Sequence, residues 1–256
     1  APRQNGAFVQ TYDFNCQRRT RMRADPSDRT LARLLGLVVT AMWLAPQPAN
    51  AVVYRYEAHT FSILGYTSIQ AFGINNLNQI TGYVESNSQA DAFVYDLSTK
   101  TATIIDKERS TLGYAINNGG TVTGTYSQPN YGSRSFIYHN DSFEVLPTPG
   151  LFTNAYSIND SGVVVGTTSD GSPQSLRGFI YDSGAFTELG TLGGARSWAT
   201  AINSSGQVVG WSDVVTPHTN GAFLYTNGVM TDIFDGVEVG SHVATSINDA
   251  GDIAGF

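Results

Sequence analysis

Beyond residue 51 the apolar residues of this 256-residue chain fall in short runs separated by Gly, Asn, Asp and Ser. Some runs alternate apolar with polar positions. Others, such as Val163-Val164-Val165 and Phe179-Ile180-Tyr181, are apolar on both sides. Short runs bounded by turn formers predict β-strands, and a strand apolar on both faces belongs to a sheet covered on both faces. No stretch of this region carries the 3.6-residue period of an amphipathic helix.

The pattern repeats. An Ile-Asn pair, a turn and an apolar strand occur together five times, with the Asn at positions 75, 117, 159, 203 and 248, spaced by 42, 42, 44 and 45. Each copy runs on into a strand expected to end in Gly: Gly82, Gly124, Gly166, Gly210 and Gly255. Between copies stands a second landmark, Phe93-Val94-Tyr95, Phe136-Ile137-Tyr138, Phe179-Ile180-Tyr181 and Phe223-Leu224-Tyr225. Asn at the first turn position can bond its own backbone two residues on. The fourth position holds Gly in four copies and Asn78 in the other, the two residue types that tolerate positive φ. This predicts a type I turn followed by a bulge. The second landmark enters the same kind of tight reversal at Tyr181-Asp182-Ser183-Gly184 and Tyr225-Thr226-Asn227-Gly228.

Each period then holds four short strands, in the fourth copy Trp198–Ile202, Gln207–Trp211, Ala222–Tyr225 and Val229–Ile233. Four-stranded antiparallel units of about 40–50 residues, packed face to face, are propeller blades. The expected fold is all-β, a β-propeller of about five repeats over residues 52–256. Val52 stands as far ahead of Asn75 as each later Phe stands ahead of its own Asn. The segment 52–64 could therefore supply outer strands that close a ring of five. Because the chain stops at the end of a strand and starts without Met, it reads as a fragment in preference to a complete ring.

Residues 1–51 differ in charge. They hold 7 of the 14 basic and 3 of the 21 acidic residues, a balance of +4 against −11 for the remainder. Arg23, Arg29 and Arg33 precede the apolar run Leu34–Leu44, which ends in Pro46, Pro48 and Ala49-Asn50-Ala51. This pattern predicts a secretory signal peptide over 22–51, cleaved after Ala51, with 1–21 as translated upstream sequence. The mature chain would then be secreted or held at the cell surface. No later run is long enough to span a bilayer as a helix. Cys16, the one cysteine, falls in the leader, so the body has no disulfide, thiolate metal site or cysteine nucleophile. An acidic body with two lysines, Lys100 and Lys107, repels phosphate backbones, which argues against nucleic acid as a partner.

The fourth copy carries a family resemblance. Glu188-Leu189-Gly190-Thr191-Leu192-Gly193-Gly194, then Ala201-Ile202-Asn203, Gly206, Val208-Val209-Gly210 and Ala222-Phe223-Leu224-Tyr225, resembles the bacterial extracellular HAF-repeat family. That unit reads approximately Leu-Gly-Thr-Leu-Gly-Gly, Ala-Ile-Asn-x-x-Gly-x-Val-Val-Gly and His-Ala-Phe-Leu-Trp. The resemblance extends over 52–256, with the first block decayed in other copies, for instance to Leu146-Pro147-Thr148-Pro149-Gly150. It implies export and a propeller-like repeat, and no established activity. The histidine of the family's name is replaced by Asp91, Ser133 or Arg134, Arg177 and Gly221, so no site is carried over from it.

Catalytic chemistry is hard to find. His59, His139, His218 and His242 show no metal-ligand spacing, and nucleotide-binding or nucleophile-elbow glycine patterns are missing. No cofactor is implied. A calcium loop would need several carboxylates per turn, and three copies of the Ile-Asn turn have none. Asp96, Asp160, Asp182 and Asp249 read as solvated turn residues and Trp198 and Trp211 as core. The irregular segments are those between second and third strands, 86–91, 127–134, 168–178 and 212–221, which share one face. Tyr131, Arg134, Arg177 and His218 on that face are the candidate ligand-binding residues. The sequence thus points to a non-enzymatic module binding an extracellular glycan or protein. Its alternatives are a structural segment of a larger surface or matrix protein and a propeller hydrolase or lyase acting on carbohydrate.

Overall fold

The computed structural model describes residues 7–10, 58–86, 89–105, 110–128, 132–147, 149–172, 174–215, 220–234 and 240–256. The chain forms two units, 8–59 and 60–256 together with 1–7. Strands β1 (Ala7–Gln10) and β2 (Ala58–Phe61) are what is described before residue 62. The signal peptide expected over 22–51 lies outside the described residues.

The second unit is a succession of antiparallel blades, each strand bonded to its neighbour in chain order. Blade one is β3 (Ser68–Ile74), β4 (Gln79–Ser86), β5 (Gln89–Asp96) and β6 (Thr101–Ile105). Blade two is β7 (Thr111–Ile116), β8 (Val122–Gln128), β9 (Gly132–His139) and β10 (Ser142–Val145). Blade three is β11 (Phe152–Ile158), β12 (Val164–Ser169), β13 (Arg177–Asp182) and β14 (Ala185–Glu188). Blade four is β15 (Gly193–Ile202), β16 (Val208–Val214), β17 (Asn220–Thr226) and β18 (Val229–Asp232). The fifth repeat contributes β19 (Ala244–Ile247) and β20 (Ile253–Gly255). The architecture is the β-propeller expected from the repeat. The blade-four strands lie where the pattern puts them, the first extended back to Gly193.

The core lies between blades. Phe93, Phe136, Phe179 and Phe223, the first residue of each Phe-x-Tyr landmark, have no solvent exposure. Phe179 packs with Leu146, Ala155, Ile158 and Val164 and stacks on Phe186 at 5.0 Å. One repeat earlier, Phe136 stacks on Phe143 at 4.8 Å within a cluster that mixes Ala92 and Ile105 of blade one with Ile116 and Val122 of blade two. A buried phenylalanine on each side of a junction contributes about 1.5–3 kcal/mol by removal from water. This is why strands apolar on both faces recur. Ahead of blade one, Phe61 is buried against Phe93 and Tyr95, with ring centroids at 6.0 and 4.5 Å.

Two local devices repeat with the blade. The Ile-Asn turn forms as expected, with positive φ at Asn78, Gly120, Gly162, Gly206 and Gly251. The Phe-x-Tyr strands end differently. In the hairpins at Asn140-Asp141, Ser183-Gly184 and Asn227-Gly228 both central residues have positive φ, giving two-residue reversals that match the strand twist without a bulge. The second device joins the first two strands of each blade. One residue of the first strand is left without a partner: Phe72, Tyr114, Tyr156, Thr200 and Thr245. The bulge presses a carbonyl against the second strand. A Cβ on Gly82, Gly124, Gly166 or Gly210 would overlap the carbonyl oxygen of Gln70, Leu112, Asn154 or Trp198 respectively. The repeated strand glycine therefore serves close approach, and it is not a strand terminator.

Candidate functional site

Two faces of the propeller carry recessed polar surface. On the first, the Ile-Asn turns of all five repeats line one cavity of about 580 Å3, through the triplets at 74–76, 116–118, 158–160, 202–204 and 247–249. Each of the first four Asn serves two purposes. Its Oδ1 accepts backbone N–H groups of its own turn, as Asn159 does from Ser161 at 3.1 Å and Val163 at 3.0 Å. Its Nδ2 donates across the blade junction to the carbonyl of the next Asn. These bonds run Asn75 to Asn117 (2.9 Å), Asn117 to Asn159 (3.0 Å), Asn159 to Asn203 (3.1 Å) and Asn203 to Asn248 (3.1 Å). A second thread lies outside it. Asn76 N–H donates to Asn118 Oδ1, Asn118 N–H to Asp160 Oδ1 and Ser204 N–H to Asp249 Oδ1, at 2.8–2.9 Å. Asp160 and Asp249, expected as plain solvated turn residues, thus link neighbouring repeats. The hydrogen bond from Ser204 holds the Asp249 carboxyl below its ordinary range.

Just behind these turns, aromatic rings follow the first strands from blade to blade. Phe72, Tyr114, Tyr156 and Trp198 are in sequence 5.5, 5.4 and 5.1 Å apart, and Trp198 stacks on its cross-strand partner Trp211 at 6.1 Å. Three of the five are bulge residues. Burial pushes the Tyr156 phenol up to about 12. Trp198 and Trp211 are half-buried members of this arc and not core as the apolar pattern suggested. Arg196 lies 5.7 Å from the Trp211 ring centre and is paired with Asp213 at 2.9 Å.

The opposite face holds the connections between second and third strands. They are shorter than the sequence suggested, because β4, β5, β8 and β9 extend into them. Of the four candidate residues there, Tyr131 and His218 lie outside the described residues. Arg134 stands within β9, and its Nη1 donates to Gly150 O at 2.8 Å, tying blade two to the connection into blade three. Arg177 opens β13, and its Nη1 donates to the carbonyls of Leu176 (3.0 Å), Gln174 (3.2 Å) and Ala195. Both arginines occupy the same register position, two residues before the buried Phe, and each grips the chain entering the next blade. Arg177 also lines a cavity of about 260 Å3 with Pro149, Gly150, Thr168, Ser169, Asp170, Ser175 and Glu188. Hydrogen bonds from Ser175 and Ser172 hold the Asp170 carboxyl below its ordinary range. The buried hydroxyl of Thr168 has no hydrogen-bond partner in this structure.

A clasp on this face escaped the sequence reading. Thr111, Thr153 and Ser197, each six residues before its Asn, are fully buried. Their hydroxyls accept the backbone N–H of Ala92, Ser135 and Gly178 in the preceding blade, at 2.7, 2.9 and 3.0 Å. The signal was present as a small hydroxyl residue at a fixed offset from Asn in three copies.

The match to a protein-family model covers residues 103–192, and that family is described as a protein of unknown function, DUF3466. None of the curated proteins matches this chain. Among solved structures, TolB from Acinetobacter baumannii is similar with a TM-score of 0.53 at 16% identity, over 68% of this chain and 45% of that one. The β-propeller domain of the Trilobed protease from Pyrococcus furiosus, described as having an open velcro topology, gives 0.50 at 14% identity, over 79% and 65%. Dipeptidyl peptidase 4 from Porphyromonas gingivalis gives 0.51 at 14% identity, over 71% and 28%. The chain therefore spans less than two thirds of the length of each. At such identities the likeness is one of fold, and the fold is the β-propeller.

Proposed function

We propose that this propeller is a non-enzymatic binding module of an exported protein, and that it takes an extracellular glycan or protein through the face bearing Arg177. One observation carries the reading. The cavity on blade three, closed by the connection that enters it at Pro149 and Gly150, brings together a guanidinium, the carboxylates of Asp170 and Glu188, and the hydroxyls of Thr168, Ser169 and Ser175. Convergent charged and hydroxyl groups on a rigid blade edge suit a polyhydroxylated ligand, whose hydroxyls both donate and accept. The leader pattern over 22–51 and the HAF-repeat resemblance support an extracellular setting. The acidic body disfavours polyanionic ligands and leaves neutral glycans and basic protein surfaces as partners.

The test is equilibrium binding of the purified chain to a panel of neutral polysaccharides, with Glu188→Gln and Asp170→Asn alongside. Saturable binding weakened about tenfold by either variant, the equivalent of about 1.4 kcal/mol, is expected. Flat responses from folded protein, or turnover of the polysaccharide, would overturn the reading.

A further inference from the structure

The polar cavity on blade three has an apolar neighbour. Phe152 is the cross-strand partner of Ser169, and Ser169 and Asp170 line that cavity. Two glycines flank its ring. A Cβ on Gly132 would stand 2.6 Å from Phe152 Cε1, and one on Gly171, the residue after Asp170, 3.2 Å from Cε2. Both glycines have positive φ, and a side chain at either place would crowd the ring. Phe152 is nonetheless 42% exposed, and Leu151 beside it 48%.

The repeat does not ask for phenylalanine here. This position, seven residues before the turn Asn, is Ser68, Ser110, Arg196 and Ser241 in the other repeats. In blade four Arg196 is engaged by Asp213 at 2.9 Å. In blade three the opposed residue is Ser169, whose hydroxyl is shared with that of Ser175 at 2.8 Å. A large aromatic ring therefore stands at a place the fold fills with Ser, left partly open to water beside a cluster of carboxylates and hydroxyls.

We infer that Phe152 is the stacking platform of this site, and that the ligand it selects is a β-linked, gluco-configured pyranose glycan. In such a ring every substituent is equatorial, so both faces are uninterrupted patches of C–H groups. One face covers the phenyl ring and removes apolar surface of both partners from water, while hydroxyls on the rim turn toward the Asp170 side of the cavity. An α-linked mannopyranose carries an axial oxygen on each face, O1 on one and O2 on the other, and fits the platform less well. The inference rests on the glycan reading of the cavity and narrows it to one sugar geometry.

Titration of the full chain with cellohexaose, and with an α-linked mannan oligosaccharide of equal length, tests it. Phe152→Ser installs the residue that three other repeats carry, and an unchanged thermal midpoint verifies the fold. Cellohexaose binding is expected to weaken about tenfold in Phe152→Ser and in Phe152→Leu, which keeps apolar bulk without a flat face. Phe152→Trp is expected to bind at least as tightly as the unaltered chain. The ring protons of the bound sugar should move upfield in NMR spectra, and this shift should vanish in Phe152→Leu. Binding weakened by Glu188→Gln but unchanged in Phe152→Ser overturns the inference and leaves the cavity reading intact. Full binding in Phe152→Leu, or equal affinity for the mannan oligosaccharide, overturns it in the same way. No binding of any neutral glycan by folded protein removes both.

Discussion

The two faces of the propeller are built by opposite rules. On the turn face the same residue, Asn, does the same two things in successive repeats, and the spacing hardly varies. On the loop face the backbone clasp repeats, but the position two residues before the buried Phe is Asp91, Arg134, Arg177 and Gly221 in turn. A surface that repeats its chemistry is where repeats hold each other. A surface that changes it from blade to blade is free to differ in what it meets.

The largest effect should come from the layer the two faces share. Phe179→Ala empties a fully buried site between blades two and three and is expected to cost about 3–5 kcal/mol by chemical denaturation, loosening both faces alike. Selective damage to one face would break the picture of a common core. Gly166→Ala comes next. Its methyl overlaps the Asn154 carbonyl, backbone that cannot swing away, and about 3 kcal/mol is expected, with amide exchange accelerated along β11 and β12. A neutral result there would mean that the bulge is not required.

The loop face should prove more tolerant. Arg177→Ala removes hydrogen bonds to exposed or half-buried carbonyls and is expected to cost about 1 kcal/mol, leaving exchange in the turn-face loops unchanged. The smallest perturbation is a titration. Burial raises the Tyr156 phenol from 10.0 to about 12, so the folded state disfavours the phenolate. Its contribution to stability is complete below pH 10 and fades as pH rises toward 12. The phenolate absorbance of Tyr156→Phe subtracted from that of the unaltered chain should show a single step near the upper value. A step at 10.0 would show the arc to be open to water.

Much of this fold was legible because its signals are local. Turn position four, the Phe-x-Tyr strand and the 42–45-residue period each follow from rules acting within a few residues, and together they count blades. What joins blades was not legible in the same way, since a hydrogen bond between residues 44 positions apart leaves no local trace. One trace did exist. Asp or Ser would cap the Ile-Asn turn as well as Asn does, yet all five copies use Asn, the one of these whose acceptor and donor are separate atoms, so that Oδ1 can hold the turn while Nδ2 reaches out. The Asn-to-Gly offset likewise showed the strand glycine but not the bulge behind it. For the candidate site, the sequence placed Arg134 and Arg177 on the correct face. It missed that each is first of all a grip on the next blade. That double duty depends on how the following connection approaches, which no spacing reports. Asp170 and Glu188 were not among the candidate site residues, being ordinary carboxylates until the fold of blade three brings them to one cavity.

The central claim is that the repeated Asn is a latch between blades as well as a turn former. The chain contains its own control. Asn159 and Asn248 both shape their turns through Oδ1, but the Nδ2 of Asn159 bonds Asn203 across a junction whereas that of Asn248 stays within its turn. Denaturation of Asn159→Ala and Asn248→Ala in parallel measures the difference. About 2–3 kcal/mol is expected for the first and about 1 kcal/mol for the second. Equal costs would reduce the Asn to a turn residue and contradict the account.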